Sequence, residues 1–432
     1  MGDGTLTMDA GSIIWLGLGL LPWIALGFFM AFGIREPRPL PQAGDWSPDV
    51  PSPDVDEAEP GPLVSIIVPA RNEEGNIVRC LASLARLEGV PYEVIVVDDR
   101  SDDRTAEVAR GVEAGNAMEL RVLEGGPLPE GWFGKPWACR QGAAVARGGL
   151  LLFTDADTVH HPTLLIRSLR AMEEDGAEVL SLLGRQEVET FGEKLVQPQV
   201  FTLIGIRFRS LDRVVPPEGW KEAIANGQFV LVARTAYETI GGHEAVRGEV
   251  VEDLRLAQEL TRAGSRLSVR QGEDVFSTRM YTSLGQLVDG WTKNVAVGAR
   301  QASGRWAGLA LPGILLFLAF FWLLPAGAVA VAGVGVLATL GVLPPALSVG
   351  AGGAFGIWAA LTWAMCVAIW AGAYRRFGVS PVMSLIYPLG TVVLALIVGR
   401  SWMRGERKIE WKGRTYGQGT ESGDRPETLE AR

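Results

Sequence analysis

Two kinds of hydrophobic pattern alternate along the chain. Residues Ser12–Phe32 carry no charge, a run long enough, at about 1.5 Å per helical residue, to cross a hydrocarbon core of about 30 Å. A cleaved signal peptide would need a basic start, whereas Asp3 and Asp9 precede this run without any Lys or Arg. A second apolar block, Ala307–Gly399, is interrupted by Leu343-Pro344-Pro345, by Gly350–Gly353 and by Arg375-Arg376. It divides into four expected spans, 308–325, 327–344, 354–373 and 382–399. Only Pro325-Ala326-Gly327 separates the first two, a sequence that also fits a kink inside one long helix.

Between the apolar blocks the period shortens. Near-continuous apolar runs at 64–68, 93–97, 120–123 and 150–153 alternate with helical patterns at 73–86, 103–113 and 136–147. That alternation predicts a parallel sheet covered on both faces, an α/β nucleotide-binding architecture. Ligands of such sheets sit beyond the carboxyl ends of the strands, so the residues just after each run carry the interest. Residues 36–62, with eight prolines and the acidic run Asp54–Glu59, read as an extended linker that cannot bury a core. The expected organisation is an N-terminal transmembrane helix at 12–33, a linker at 34–62, an α/β domain at 63–306, C-terminal transmembrane helices at 307–400 and a basic, then disordered, tail at 401–432.

Composition agrees with this division. Hydrophobic residues make up 48% of the 432 positions, more than a soluble protein needs. A net charge of −9 argues against a nucleic-acid partner, which would demand a concentrated basic surface. Three scattered cysteines, Cys80, Cys139 and Cys366, form no metal-ligand pattern and read as free thiols in a reducing compartment. Arg35 and Arg38 follow the first span, Arg300 and Arg305 precede the second, and Arg400, Arg404, Arg407, Lys408, Lys412 and Arg414 follow the last. Five spans in all place these groups together in the cytosol, with Arg375-Arg376 outside: a multi-pass cell-membrane protein with a cytosolic α/β domain.

Chemistry concentrates where the runs end. Asn72 and Glu73 follow the first run and suit a helix cap and first turn. Asp98-Asp99 follow the second, and adjacent carboxylates there need hydrogen bonds or a cation, although a capped turn would also explain them. Asp155-Ala156-Asp157 follows the fourth. A lone Asp-x-Asp is common; at the end of a buried strand, its hard oxygen ligands suit one Mg²⁺ or Mn²⁺ shared with a diphosphate.

Four ordered motifs, Val-Pro-Ala-Arg-Asn-Glu (68–73), Val-Asp-Asp-Arg-Ser-Asp-Asp-Arg-Thr (97–105), Asp-Ala-Asp (155–157) and Val-Glu-Asp (251–253), resemble those of the family 2 glycosyltransferases. These have the GT-A fold, a Rossmann-like nucleotide-sugar-binding α/β domain. With its flanking spans and closing Trp411-Lys412-Gly413-Arg414, the chain is most similar to the bacterial branch of hopanoid-associated and carotenoid glycosyltransferases. The resemblance implies that Ala70, Arg71 and Glu73 line the nucleoside pocket, with Asp98 or Asp99 on the uracil or ribose. It implies that Asp155 meets the ribose or a metal-bound water, that Asp157 holds the metal, and that Asp253, or Glu252 in its place, is the general base. Lys135 opens a helix from a loop and faces either the donor or solvent. Asn226-Gly227-Gln228 and Gly241-Gly242-His243 would shape the acceptor side, with His243 open to a merely structural role.

Processive members carry Gln-x-x-Arg-Trp after the base; here Gln301 and Arg305-Trp306 are spaced one residue too far apart, and Trp291 and Lys293 are alternatives for the diphosphate and acceptor face. The stretches 280–306 and 201–215 mix aromatic, basic and apolar residues as interfacial segments do. The resulting expectation is an inverting, metal-dependent transfer of a sugar from a UDP-sugar or other nucleotide-sugar to a membrane lipid, a polyisoprenoid or glycolipid. A processive polysaccharide synthase and a catalytically inactive membrane scaffold are the alternatives.

Overall fold

The computed structural model describes residues 10–33, 38–44, 63–208, 214–249, 251–303, 306–347, 353–404, 409–411 and 414–416. In chain order, the helix α1 (Ala10–Phe28) is followed by β1 (Val64–Ala70), α2 (Ile77–Leu84), β2 (Tyr92–Asp98), α3 (Thr105–Arg110), β3 (Glu119–Glu124) and α4 (Gly134–Val145). Next come β4 (Leu150–Thr154), β5 (Thr158–His160), α5 (Leu164–Asp175), β6 (Val179–Leu183), β7 (Arg185–Gln186) and α6 (Phe191–Phe208). The series continues through β8 (Val214–Val215), β9 (Phe229–Ala233), α7 (Arg234–Thr239), α8 (Glu252–Arg262), β10 (Leu267–Gln271) and β11 (Phe276–Thr278). It ends with α9 (Leu284–Ser303), α10 (Ala307–Phe317), α11 (Leu324–Thr339), α12 (Gly353–Arg376) and α13 (Tyr387–Arg404).

Two compact units share the chain: Glu36–Glu187 with Leu211–Met280 and the tail from Arg404 form one, and Met1–Arg35 with Val188–Ser210 and Tyr281–Met403 form the other. The first is an α/β unit. Its main sheet has the order β3-β2-β1-β4-β9-β6-β10-β8, and a small sheet has the order β5-β11-β7. The expected parallel arrangement holds for β3, β2, β1 and β4. Beyond β4 the sheet becomes mixed, because β9 pairs antiparallel with both β4 and β6.

Alternation along the strands explains the two covered faces. Ile66 and Val68 of β1 enter one apolar cluster with Leu81, Leu84 and Leu165, while Ile67 enters the opposite one with Cys139, Phe153 and Leu256. Each fully buried aliphatic side chain contributes about 1.5–3 kcal/mol. Helix α4 lies close on the sheet: a Cβ at Gly142 would stand 2.6 Å from Ile67 Cγ2.

Part of the expected linker is held to this unit. Leu40 is buried, its N–H donates to Gln271 O, and Gln271 N–H donates to Arg38 O. Arg167 donates to Leu40 O and Pro41 O. One apolar residue among prolines thus packs where arginines satisfy the neighbouring carbonyls, which composition over the whole segment concealed.

In the second unit, four helical runs are long and apolar enough to cross a membrane among the described residues: Gly11–Gly33, Gly308–Thr339, Ala354–Arg376 and Pro381–Met403. Residues 307–404 therefore hold three candidate spans where four were expected. Pro325 does not separate two of them, because it falls in the first turn of α11, where a missing N–H costs little. The widened π turn Leu318–Leu323 joins α10 to α11 without a break. Its carbonyls are shared outward: Phe321 O accepts Trp23 Nε1 at 3.1 Å and Cys366 Sγ at 3.4 Å, and Trp322 O accepts Tyr387 Oη at 2.9 Å.

Candidate active site

The ends of β1 and β2 are tied together before any ligand arrives. Asp99 N–H donates to Ala70 O at 2.7 Å. Arg71 is buried, and its guanidinium donates to Asp99 O at 2.7 Å and Arg100 O at 2.6 Å, with Asp102 at 3.3 Å. Asn72 (φ 53°) and Arg100 (φ 54°) both adopt the left-handed conformation, so two tight reversals meet. Asn72 N–H donates to Ser101 Oγ and its Oδ1 accepts Asp102 N–H, while Glu73 N–H donates to Thr105 Oγ1.

The expected cap is thereby corrected. Helix α2 starts at Ile77 with Asn76 before it, and Asn72 instead braces the Asp98–Asp102 loop. Local sequence suggested only the cap, and the through-space partner decided otherwise. Asp98 and Asp99 are both buried, with Asp98 Oδ1 accepting Ser101 Oγ. Strand β1 runs on through Ala70, two residues beyond the expected end at Val68.

At the end of β4 the carboxylates converge on one cation. Lys135, in the first turn of α4, places Nζ 2.8 Å from Asp155 Oδ1 and 3.0 Å from Glu252 Oε1. Burial alone would pull this ammonium down, yet Asp155, Glu252 and Asp253 hold it well above its ordinary value. The Lys135 ammonium thus meets two carboxylates rather than solvent. Burial pushes the Asp155 carboxyl up, against the pull of Lys135.

Asp253 is gripped by two backbone donors: Gly227 N–H to Oδ2 at 2.8 Å and Leu254 N–H to Oδ1 at 2.7 Å. Burial, reinforced by the neighbouring Glu252, nevertheless raises it to about 6, the range in which a carboxylate both stays ionised at neutral pH and accepts a proton readily.

The loop before β9 couples these parts. Thr154 Oγ1 donates to Gln228 O at 2.8 Å, Gln228 itself is buried, and its Nε2 donates to Thr278 Oγ1 at 3.3 Å. Sequence reasoning missed the layer beneath. Thr158 Oγ1 donates to Asp155 O at 2.6 Å, and His160 Nε2 lies 3.1 Å from Thr154 Oγ1 and 3.2 Å from Thr158 Oγ1. Burial lowers His160 to about 3, so its ring is neutral and structural. The only sequence signal was a histidine and two threonines interleaved with the Asp-x-Asp run. His243, by contrast, is the structural residue that one reading allowed: its Nδ1 is 2.8 Å from Tyr237 Oη and its ring packs on Phe153.

Of the remaining candidates, Trp291 and Lys293 lie on α9 in the second unit, where Trp291 is buried against Phe201 and Tyr281. Trp306 is exposed just before α10, and Arg305 lies outside the described residues.

No group of three His, Cys, Asp or Glu side chains among the described residues is arranged to hold a metal by itself. A cation carried with a diphosphate takes one or two protein carboxylates and completes its octahedron with phosphate oxygens and water. Asp155 and Asp157 are the residues that would supply the protein's share.

Residues 65–240 match the family described as Glycosyl transferase family 2. This stretch is a family 2 glycosyl transferase domain. The family 2 domain also relates the chain to 4,4'-diaponeurosporenoate glycosyltransferases. The protein of that name from Staphylococcus haemolyticus is 30% identical over 249 residues, covering 56% of this chain and 64% of the relative. The one from Staphylococcus aureus is 31% identical over 243 residues, covering 55% and 61%. The match thus spans less than two thirds of either relative's length.

Among solved structures, the mannosyltransferase PcManGT from Pyrobaculum calidifontis, determined with GDP-Man and Mn²⁺, superposes with a TM-score of 0.50 at 19% identity, over 89% of this chain and 97% of that one. At that identity the likeness bears on fold, and the mixed sheet around the family 2 domain is the GT-A fold.

Proposed function

We propose that the chain transfers a single sugar from a nucleotide-sugar, UDP-linked, to a lipid acceptor, with inversion at the anomeric carbon and with help from a divalent cation. The observation that carries the reading is the Lys135 ammonium seated between Asp155 and Glu252, which joins the end of β4 to the start of α8 beside Asp253. Donor-side and acceptor-side carboxylates, almost a hundred residues apart in sequence, are thereby one site.

The braced loop at Asp98–Asp102 and the end of β1 form the nucleoside wall, with Ala70, Glu73, Asp98 and Asp99 as its residues and Arg71 as the brace behind them. Lys135 and the N-terminal turn of α4 favour the donor's negative diphosphate. A bound Mg²⁺ or Mn²⁺, held by Asp157 and Asp155, would neutralise the departing nucleoside diphosphate. Asp253 takes the proton from an acceptor hydroxyl as the new bond to the anomeric carbon forms. Its two backbone hydrogen bonds fix the carboxylate while leaving lone pairs for that proton. Gly227 and Gln228 form the loop that holds the base.

The Mn²⁺ and GDP-Man in the Pyrobaculum mannosyltransferase support a metal and a nucleotide-sugar donor, and relatives named for 4,4'-diaponeurosporenoate support a lipid-like acceptor. The apolar helical runs support work at a bilayer, and Arg35, Arg38, Arg300 and Arg305 flanking the α/β domain support its placement in the cytosol. Two measurements test the proposal together. Lipid mass spectrometry with and without the gene should reveal one missing glycolipid. Asp157→Ala and Asp253→Ala should each abolish donor turnover, and wild-type rates in both would sink the mechanism.

A further inference from the structure

Four candidate spans create a conflict of charge. If each crosses, Arg375-Arg376 and the α/β domain fall on one side, while Arg404, Arg407, Lys408, Lys412 and Arg414 fall on the other. Basic residues normally collect on a single face. Three crossings remove the conflict, and the packing of α13 indicates which run does not cross.

The start of α13 is fastened to α6 and its end to α9. Near its start, Gln199 of α6 donates from Nε2 to Tyr387 O at 2.9 Å and accepts Thr391 Oγ1 at 3.0 Å. A Cβ at Gly390 would stand 2.6 Å from Leu195 O, so the two backbones nearly touch there. Near its end, Ser401 Oγ donates to Thr292 O of α9 at 2.6 Å, and Arg400 pairs with Asp289 at 3.0 Å. Helices α6 and α9 themselves meet, with the Phe201 and Trp291 rings 5.7 Å apart.

Neither partner can be at the far side of a bilayer. Helix α6 leaves β7 at Gln186 and returns to β8 at Val214, so both of its ends stay within a few residues of strands of the α/β domain. Helix α9 starts soon after β11 and carries Asp289, Lys293 and Arg300, charges that a spanning helix would not place along its length. From Tyr387 to Ser401, α13 runs about 20 Å at 1.5 Å per residue. A crossing helix of that length would carry one end away from any partner on the starting face. The faces of the run Pro381–Met403, the short 3-10 turn Pro381–Ile386 followed by α13, agree: Ser384, Tyr387, Thr391 and Ser401 are buried, whereas Val382, Leu385, Leu389 and Leu396 are 55–68% exposed. An apolar ridge with one protein-covered side fits a surface of lipid headgroups and upper acyl chains.

We propose that α13 does not cross the bilayer but lies in the interface of the leaflet that carries α6 and α9, the Val382–Leu396 ridge turned to lipid. The tail after Arg404 then stays on the face of the α/β domain, and every basic group flanking the apolar runs shares that face. The inference rests on chain path and packing, independently of the reaction proposed above.

The test uses the full-length protein in sealed inside-out and right-side-out vesicles, with Ser380→Cys labelled by a membrane-impermeant maleimide and an epitope following Arg432 read by added protease. Both sites are expected to react in the same vesicle orientation. Reaction in opposite orientations means that α13 crosses, and overturns the proposal. A second cysteine, Met403→Cys at an 84% exposed position, gives an independent reading of the helix end: labelling from the face opposite Ser380→Cys overturns the proposal equally, whatever the activity of the variants.

Discussion

Alanine at Gly227 puts a methyl group where the base side chain already sits. Its Cβ would stand 2.7 Å from Asp253 Oδ2, 3.0 Å from Asp253 Cβ and 3.1 Å from Asp253 Cγ, against ordinary carbon contacts of about 3.5–4.0 Å. Gly227 is not in the left-handed region, so alanine is conformationally acceptable and the effect is steric. Asp253 cannot simply turn away, because Oδ1 is held by Leu254 N–H at the start of α8. The loop or the carboxylate must move by roughly half an ångström to one ångström, which breaks the Gly227 N–H bond to Oδ2.

A hydrogen bond to a charged group contributes about 1.5–3 kcal/mol, and 1.36 kcal/mol is a factor of ten in rate. The expected loss in kcat/KM is therefore about 10- to 150-fold. Misplacement of a reacting group by about 1 Å has a similar cost by itself. Initial rates of sugar transfer into lipid measure the effect, while calorimetric donor binding should stay within about threefold of wild type because β1, β2 and Asp155 are untouched. Gly149→Ala is the control, since a Cβ there meets nothing within 4 Å. A Gly227→Ala enzyme retaining more than half of wild-type kcat/KM would refute the reasoning.

Three further outcomes follow from the same contacts. Asp253, raised to about 6, works only when ionised, so kcat/KM should fall as pH drops through about 6; Lys135→Met removes a cation that favours the ionised form and should move that acidic limb upward. A limb that stays in place counts against Asp253 as the base. Arg71→Lys cannot hold the Asp99 and Arg100 carbonyls through Nη1 and Asp102 through Nη2 with one planar fork; losing buried bonds at about 1–3 kcal/mol each should lower Tm and weaken donor binding at least tenfold, and unchanged donor affinity would contradict the bracing role. Gly390→Ala would crowd Gln199 Nε2 at 2.5 Å and Leu195 O at 2.6 Å, an overpacking cost of about 1–3 kcal/mol, read as a lower melting temperature in detergent; a wild-type melt would show that α6 and α13 are not in tight contact.

Much of the site was legible in the chain because strand ends are local. Apolar runs at 64–68, 93–97 and 150–153 became β1, β2 and β4, and that placed Ala70, Asp98 and Asp155 at carboxyl ends without knowledge of any contact. The expected helices 103–113 and 136–147 appeared as Thr105–Arg110 and Gly134–Val145. Asn72 could not be assigned that way. Its residue type fits a cap and a left-handed turn equally well, and the choice depended on Asp102, which arrives from another strand end.

What the sequence alone determined was the order of elements, the family 2 domain and the carboxylates at the strand ends, since each depends on short-range period and residue type. Tertiary structure alone decided the rest. Lys135 bridges Asp155 and Glu252, Gly227 grips Asp253, His160 stiffens the turn beneath them, Leu40 docks out of a proline-rich stretch, and Ala307–Thr339 runs as one helix. The pairings join residues far apart in the chain, and the unbroken helix depends on carbonyls freed by a π turn finding donors on other helices. Periodicity records which way a side chain faces; the partner it meets is fixed only when the chain closes on itself.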